Sequence, residues 1–324
     1  MVSLSGSRST GLPLAPEKFR DPEWTADGSK RARVELEGLE TLWLNTGTLC
    51  NIECRNCYIE SSPANNRLAN LSAAEVARYL DEISELGLAT REIGFTGGEP
   101  FVNPELPAML EDTLARGFEA LVLTNAMQPL MRPAIREALL SLRDAHGERL
   151  HLRVSVDHHG PELHEKERGP GSWEPTLRGL GWLAARGFRL SVAGRTCWGE
   201  SEQEACQGYG RLFAAESLPL EAGDPTQLVL FPEMDAALDV AEITVDCWGI
   251  LGVEPSAMMC ARSRMVVKRR DDEAPAVVSC TLLPYDRQFE LGGQLADSLG
   301  PVRLNHPHCA RFCVLGGGIC STAP

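Results

Sequence analysis

The sequence lacks a secretory signal, because residues 1–7 have neither a charged start nor an apolar core. It also has no apolar run long enough to span a bilayer. A cytoplasmic protein without membrane attachment is the expectation. Basic residues are in deficit: 31 Lys and Arg stand against 45 Asp and Glu, a net charge of -14. That balance argues against duplex nucleic acid as the main partner. No repeat of fixed period is present, so the chain does not read as a solenoid or an array. Cysteine, by contrast, is plentiful. Eleven thiols in a reducing compartment point to metal ligation rather than disulfides.

At 324 residues with 43% apolar and 23% charged residues, the chain has the composition of a large globular domain with a smaller companion. Residues 1–37 are rich in Ser, Gly, Pro and charge and read as an extended N-terminal arm. Regular structure is expected from Thr41 onward, with strands over 41–45, 92–96, 120–124, 150–156, 190–193 and 228–230. Helices are expected between them. Ser72-Ala73-Ala74-Glu75 and Ser201-Glu202-Gln203-Glu204 are capping boxes. Asn103 is placed to cap a helix over 104–116, a further helix starts near Pro133, and another covers 173–186 with Gly187 as its stop. Six such units predict an α/β fold with a parallel sheet and right-handed crossovers. Six also favour an open, partial (β/α)6 TIM-like barrel over residues 38–235. After that the rhythm ends, and residues 236–324 read as a small cysteine-rich domain folded around metal.

Chemistry in parallel β/α folds collects at the C-terminal strand ends, and the unusual residues fall there. Cys50, Cys54 and Cys57 form a C-x3-C-x2-C loop after the first strand. No other Cys or His follows until His146, so no nearby pair completes a four-ligand zinc site. Three thiolates around a [4Fe–4S] cluster leave one iron open. Thr96-Gly97-Gly98-Glu99-Pro100 follows the second strand. Its glycines let backbone N–H groups approach a ligand, and Glu99 offers a carboxylate to an ammonium group. Asn125, Ser155, Asp157, Arg195, Glu233 and Asp235 stand at the ends of the later strands.

With these motifs together, the chain resembles the radical S-adenosylmethionine (radical SAM) superfamily. The resemblance rests on Cys50, Cys54 and Cys57 and on Gly97 to Pro100, and it covers residues 40–235. It implies that the amine and carboxylate of S-adenosylmethionine chelate the open iron, and that one electron releases a 5′-deoxyadenosyl radical. The segment from Ser155 through Arg168 to Gly169 resembles a motif of the branch with auxiliary-cluster domains. By that resemblance Ser155 meets the cofactor's ribose and Arg168 its carboxylate, with Gly97, Gly98, Glu99 and Asn125 also on the cofactor side. Asn56 stands where the family usually has an aromatic residue. His158, His159 and His164 are not read as ligands.

The C-terminal cysteines resemble the twitch domain, a shortened SPASM domain. Cys260, Cys280, Cys309 and Cys313 would hold a second, auxiliary [4Fe–4S] cluster, with Cys320 a rival for the fourth place; a zinc knob is the competing reading. Cys197, Cys206 and Cys247 read as packing residues, Cys247 being also near enough in sequence to serve on the substrate side. Lys268-Arg269-Arg270 followed by Asp271-Asp272-Glu273 reads as a solvated hairpin tip.

The expected activity is hydrogen abstraction from a small-molecule or peptide substrate in an oxidative modification aided by the auxiliary cluster, with Asp157, Arg195, Glu233 and Asp246 as catalytic candidates. The resemblance implies an electron donor such as flavodoxin or ferredoxin. The forty residues before the first strand are few for a folded peptide-binding domain, which tilts the expected substrate toward a small metabolite or a protein side chain. The alternative is a non-catalytic iron–sulfur or zinc binding protein on the same scaffold.

Overall fold

The computed structural model describes residues 12–232 and 235–318. A short β1 (Arg33–Val34) precedes β2 (Thr41–Asn45), all of whose residues are buried. In α1 (Ala73–Glu85) the expected capping box is formed: the Ser72 hydroxyl accepts from the Glu75 amide, and the Glu75 carboxylate accepts from the Ser72 amide. Then follow β3 (Glu92–Thr96), α2 (Leu106–Ala115), β4 (Glu119–Thr124), α3 (Pro133–His146) and β5 (Leu150–Ser155). The chain continues through α4 (Pro161–Arg168), α5 (Trp173–Ala185), β6 (Arg189–Arg195), α6 (Glu202–Ala215) and β7 (Leu228–Phe231). Ser201 closes the second capping box on α6.

Two details differ from the sequence pattern. α2 begins at Leu106, because Pro100–Val102 forms a 3-10 turn and Asn103 is occupied elsewhere. Its amide donates to the carbonyls of Thr46 and Leu71, and its side-chain oxygen accepts from the Glu105 amide. The short helix α4 is the second difference. It places Glu167 and Arg168 at its C-terminal end.

Strands β2 to β7 are parallel and lie in chain order, each hydrogen-bonded to the next. Sequential order without a reversal belongs to barrels rather than doubly wound sheets. The expected partial (β/α)6 TIM-like barrel is therefore the observed one. Alternation along each strand sorts the residues: Leu150, Leu152 and Val154 of β5 join the apolar cluster beneath the helices, whereas His151, Arg153 and Ser155 face the other way.

Beyond β7 come α7 (Cys247–Leu251), β8 (Ser263–Val267), β9 (Ala276–Val278), β10 (Glu290–Gly292) and β11 (Val302–Arg303). β8 pairs in parallel with β2, and β9 and β10 continue antiparallel, making a nine-stranded sheet. The sequence hid β8 inside an apparently basic stretch. Arg264 is fully buried there, its guanidinium donating to the carbonyls of Ser298, Cys260, Ser263 and Gly300. A second apolar cluster, with Trp43, Leu121, Met265, Val278 and Phe312, joins the sheet's inner face to the C-terminal segment. The N-terminal segment docks on this region as well. β1 pairs with β11, and Arg31 forms a buried ion pair with Glu242 at 2.6 Å.

Packing of α5 on the barrel supplies a test. A Cβ on Gly179 would lie 1.8 Å from the Ala126 carbonyl oxygen, whereas one on Gly181 would meet nothing within 4 Å. Gly181→Ala is expected to stabilise the fold by up to about 1 kcal/mol through helix propensity. Gly179→Ala is expected to destabilise it by about 1–3 kcal/mol or more through overpacking. Urea unfolding of the two variants distinguishes them; equal effects would show that α5 is not seated against Ala126.

Candidate active site

The C-terminal ends of the parallel strands enclose a cavity that opens to solvent. Its first wall is the cysteine loop. Asn45 at the end of β2 accepts from the Gly47 amide at 3.0 Å and turns the chain into the loop, and the Cys50 amide is tied to the Ser62 carbonyl at 3.1 Å. Cys50, Cys54 and Cys57 all line the cavity. Burial pushes the Cys50 thiol up to about 12 and the Cys54 thiol up to about 11, against the pull of Arg168. Such thiols are poor free nucleophiles, but a bound metal ionises a thiol outright. The Ser61 amide donates to Cys57 Sγ at 3.3 Å.

The second wall is the turn after β3, and here the structure changes the role of the glycines. The Gly98 amide donates to the Gly47 carbonyl at 2.9 Å and the Glu99 amide to the Leu49 carbonyl at 3.1 Å. A Cβ on Gly98 would lie 2.3 Å from the Leu49 oxygen, and one on Gly97, which sits at φ +145, would lie 2.5 Å from the Gly47 oxygen. Those N–H groups grip the cysteine loop; they are not offered to a ligand. Gly97 and Gly98 still line the cavity. Glu99 does not appear on its wall. Only 2% exposed, its carboxylate accepts from the Phe101 amide, the Thr124 hydroxyl and the Asn125 amide at 3.2, 2.8 and 2.8 Å. Burial pushes its pKa up to about 7 despite these donors. The carboxylate expected to meet an ammonium group is thus engaged in locking β3 to β4. Asn125 does reach the cavity, its amide donating to Asn51 Oδ1 at 2.9 Å and lying 3.9 Å from Cys50 Sγ.

The third wall is built by β5, α4 and β6. Ser155, Asp157, Arg168 and Arg195 line it together. Arg168 lies against Asp157 with both nitrogens, Nε at 2.8 Å from Oδ2 and Nη2 at 3.3 Å from Oδ1. Asp157 and the nearby thiols hold its proton above the usual arginine range. Two wall residues escaped the sequence reading. Arg153 on β5 is 1% exposed and donates to Ser191 Oγ at 3.2 Å. Glu167 is also 1% exposed. Its carboxylate accepts from the Asn56 amide at 2.9 Å, from Asn56 Nδ2 at 2.8 Å and from Arg195 Nη1 at 3.0 Å. Asn56, set just before the third cysteine, is therefore held by hydrogen bonds. The only available signal for Glu167 was its place beside Arg168.

Asp246 is not brought to this site: it is exposed at the start of α7 and lines no part of the cavity. Glu233 and Cys320 lie outside the described residues. A second, smaller cavity is lined by Cys260, Cys280, Cys309 and Cys313. The last two sit on a π-helical turn, Cys309–Val314, which carries both thiols to the same cavity. Burial raises the Cys260 thiol to about 11 and Cys309 well above the usual thiol range. Cys247 instead accepts from the Thr244 amide at 3.3 Å and does not line this cavity; nor do Cys197 and Cys206. An aromatic pair links the wall of the larger cavity to the turn that carries Cys309 and Cys313. Phe231 lines the larger, and its ring centroid lies 5.8 Å from that of Phe312, between Cys309 and Cys313 in sequence.

Comparison with known proteins bears on residues 44–204, which match the Radical SAM superfamily profile. The antilisterial bacteriocin subtilosin biosynthesis protein AlbA of Bacillus subtilis is 30% identical over 145 residues, 44% of this chain and 30% of that protein. Mycofactocin maturase MftC of Mycobacterium tuberculosis is 28% identical over 139 residues, 43% of this chain and 33% of that protein. GTP 3',8-cyclase of Tolumonas auensis is 29% identical over 150 residues, 46% of this chain and 42% of that protein. The chain thus spans less than half the length of these relatives. In fold it is similar to Streptococcus suis SuiB bound to S-adenosylmethionine, with a TM-score of 0.57, 10% identity, and coverage of 80% of this chain and 64% of that one. It is likewise similar to anSMEcpe with bound AdoMet, with a TM-score of 0.55, 12% identity, and coverage of 80% and 79%. The matched stretch contains the cysteine loop, the Gly97–Gly98 turn, Arg168 and Arg195, the parts that enclose the larger cavity. Through this stretch the chain matches the radical SAM superfamily.

Proposed function

We propose that the protein is a radical SAM enzyme that abstracts hydrogen from a peptide substrate in an oxidative modification, with a second iron–sulfur cluster in its C-terminal region. The observation that carries this reading is the larger cavity, where three thiols, with no fourth thiol among the described residues that line it, face a guanidinium, an amide and a hydroxyl. Those residues fit the cofactors. Cys50, Cys54 and Cys57 would hold a [4Fe–4S] cluster by three irons, and Arg168 would counter the carboxylate of S-adenosylmethionine. Ser155 would meet its ribose and Asn125 stand beside Cys50. When bound, the pair supplies one-electron cleavage of S-adenosylmethionine and a 5′-deoxyadenosyl radical. The chain's own share is positioning. Asp157 orients Arg168, while Glu167 and Arg195 hold the cysteine loop against β6.

Residues 38–235 would form the radical-generating domain and 236–324 the auxiliary one. Cys260, Cys280, Cys309 and Cys313 share one small cavity, which suits a four-thiolate cluster. Four thiolates on one tetrahedral zinc, each about 2.3 Å from the ion, would bring their sulfurs roughly 4 Å apart. Among the described residues no three thiols have sulfurs within 4.8 Å of one another, and that wider spread favours a cluster. A peptide substrate is supported by the relatives named for bacteriocin biosynthesis and mycofactocin maturation. A low-potential donor of the flavodoxin or ferredoxin kind would supply the electron. The test is anaerobic iron–sulfide reconstitution, then dithionite with S-adenosylmethionine. 5′-Deoxyadenosine is the expected product; its absence from an iron-loaded chain would sink the enzymatic reading.

A further inference from the structure

We propose that His158, His159 and Glu200 form a binding site for a divalent transition-metal ion of the zinc class, between the loops that follow β5 and β6. The sequence reading set these histidines aside as ligands. The fold supplies the third donor from 41 residues beyond His159. His158 Nε2 stands 3.1 Å from Glu200 Oε1, and His159 Nε2 stands 3.1 Å from Glu200 Oε2. One nitrogen from each ring and a carboxylate oxygen all lie within 4.8 Å of one another. Around a tetrahedral zinc, with bonds of about 2.0–2.2 Å, neighbouring nitrogen and oxygen ligands lie roughly 3.3 Å apart. Each ring nitrogen stands close to that distance from one carboxylate oxygen, a different oxygen for each ring.

The donor set selects the class of ion. Two imidazole nitrogens and one carboxylate suit Zn²⁺, Co²⁺, Ni²⁺ or Fe²⁺, whereas Mg²⁺ and Ca²⁺ prefer oxygen alone and Cu⁺ prefers sulfur. Three protein ligands leave a fourth position for water. The side chains are 10%, 19% and 19% exposed, withdrawn from bulk solvent yet reachable.

The surroundings hold the rings in place. A Cβ on Gly208, in the middle of α6, would lie 2.2 Å from His159 Nε2. A mid-helix glycine costs about 0.5–1 kcal/mol relative to alanine, and here it leaves the space His159 occupies. Tyr209 presents its ring to His159 edge-on at 5.6 Å, and Trp198 does the same to His158 at 6.0 Å. His158 Nδ1 lies 2.9 Å from the Gly160 amide nitrogen and 3.4 Å from the Gly160 carbonyl oxygen. The Gly160 amide donates to Nδ1 here, so coordination through Nε2 requires Nδ1 to take up the proton, release that amide and turn to the Gly160 carbonyl, the usual kind of outer-shell partner of a ligating histidine. An ion at this point ties the two rim loops together one residue from Asp157. The Asp157 carbonyl already receives the Arg195 amide at 3.1 Å and the Trp198 indole at 3.4 Å. Metal loading would therefore steady the residue that grips Arg168.

Co²⁺ titration of the full, iron-loaded chain under anaerobic conditions tests the site, because iron occupies the thiols and cobalt reports its ligands by colour. The unmutated chain is expected to bind one equivalent whose visible d–d bands lack a thiolate charge-transfer band. Glu200→Gln and His159→Gln are each expected to lose that equivalent. Identical cobalt binding in the unmutated chain and both variants would overturn the site, leaving Glu200 as an ion-pair partner of the histidines only. So would a cobalt spectrum of the unmutated chain showing thiolate ligation alone, a result that needs no variant to fold.

Discussion

Replacing Cys50, Cys54 and Cys57 together with alanine is expected to abolish 5′-deoxyadenosine formation and to lower bound iron from about eight atoms per chain to about four. The three side chains line one cavity and four further candidate thiols line another, so the two iron populations should separate by mutation. Replacing Cys260, Cys280 and Cys309 should remove the complementary half. Cysteine-to-alanine changes at these buried positions also remove packing, Cys309 being 7% exposed, so circular dichroism must show both variants folded. Iron and zinc content, measured together, decide the matter. Zinc in the first triple variant, or no residual metal, would replace the auxiliary cluster by a zinc knob or by plain packing. Unchanged iron would remove the cysteine loop from the radical site.

Glu167→Ala is expected to lower the unfolding free energy by about 3–5 kcal/mol, the usual cost of leaving a buried charge without its partner. The carboxylate is 1% exposed and joins three groups: the Asn56 amide, the Asn56 side chain and Arg195. Its own backbone carbonyl also receives the Arg55 amide at 2.8 Å. Removing the carboxylate strands the Arg195 guanidinium inside the rim and frees the cysteine loop on one side. Glu167→Gln keeps an acceptor for one of these donors and should lose less. Asp81→Ala is the control, since its pair with Arg116 at 2.5 Å is largely exposed and such pairs contribute about 1 kcal/mol or less. Urea unfolding of the three variants gives the ranking. If Glu167→Ala costs no more than Asp81→Ala, Glu167 is not the clamp of the cysteine loop.

The parts of the fold legible in the sequence were those that local rules govern. Apolar runs marked the six parallel strands, and serine–glutamate pairs marked the starts of α1 and α6. β8 was not legible, because a buried Arg264 looks like a surface charge until four backbone carbonyls are known to surround it. The motif after β3 was legible as a site but misread in its parts. Gly98 and Glu99 turn their amides toward the cysteine loop, and the Glu99 carboxylate turns toward Thr124 and Asn125, because those partners become neighbours only when β2, β3 and β4 lie side by side.

The sequence by itself determined the order of the strands and helices, the crowding of three thiols into one loop, and the family these imply, since each is set by residues close together in the chain. Only the tertiary structure decided that Glu167 clamps Asn56 and that Arg168 rests on Asp157. It alone decided that Cys260, Cys280, Cys309 and Cys313 share a cavity and that Glu200 faces two histidines. These depend on which strand ends and loops the barrel brings within a few ångströms, and contacts made across loops, from eleven residues for Arg168 and Asp157 to more than a hundred for Glu167 and Asn56, have no local pattern to announce them.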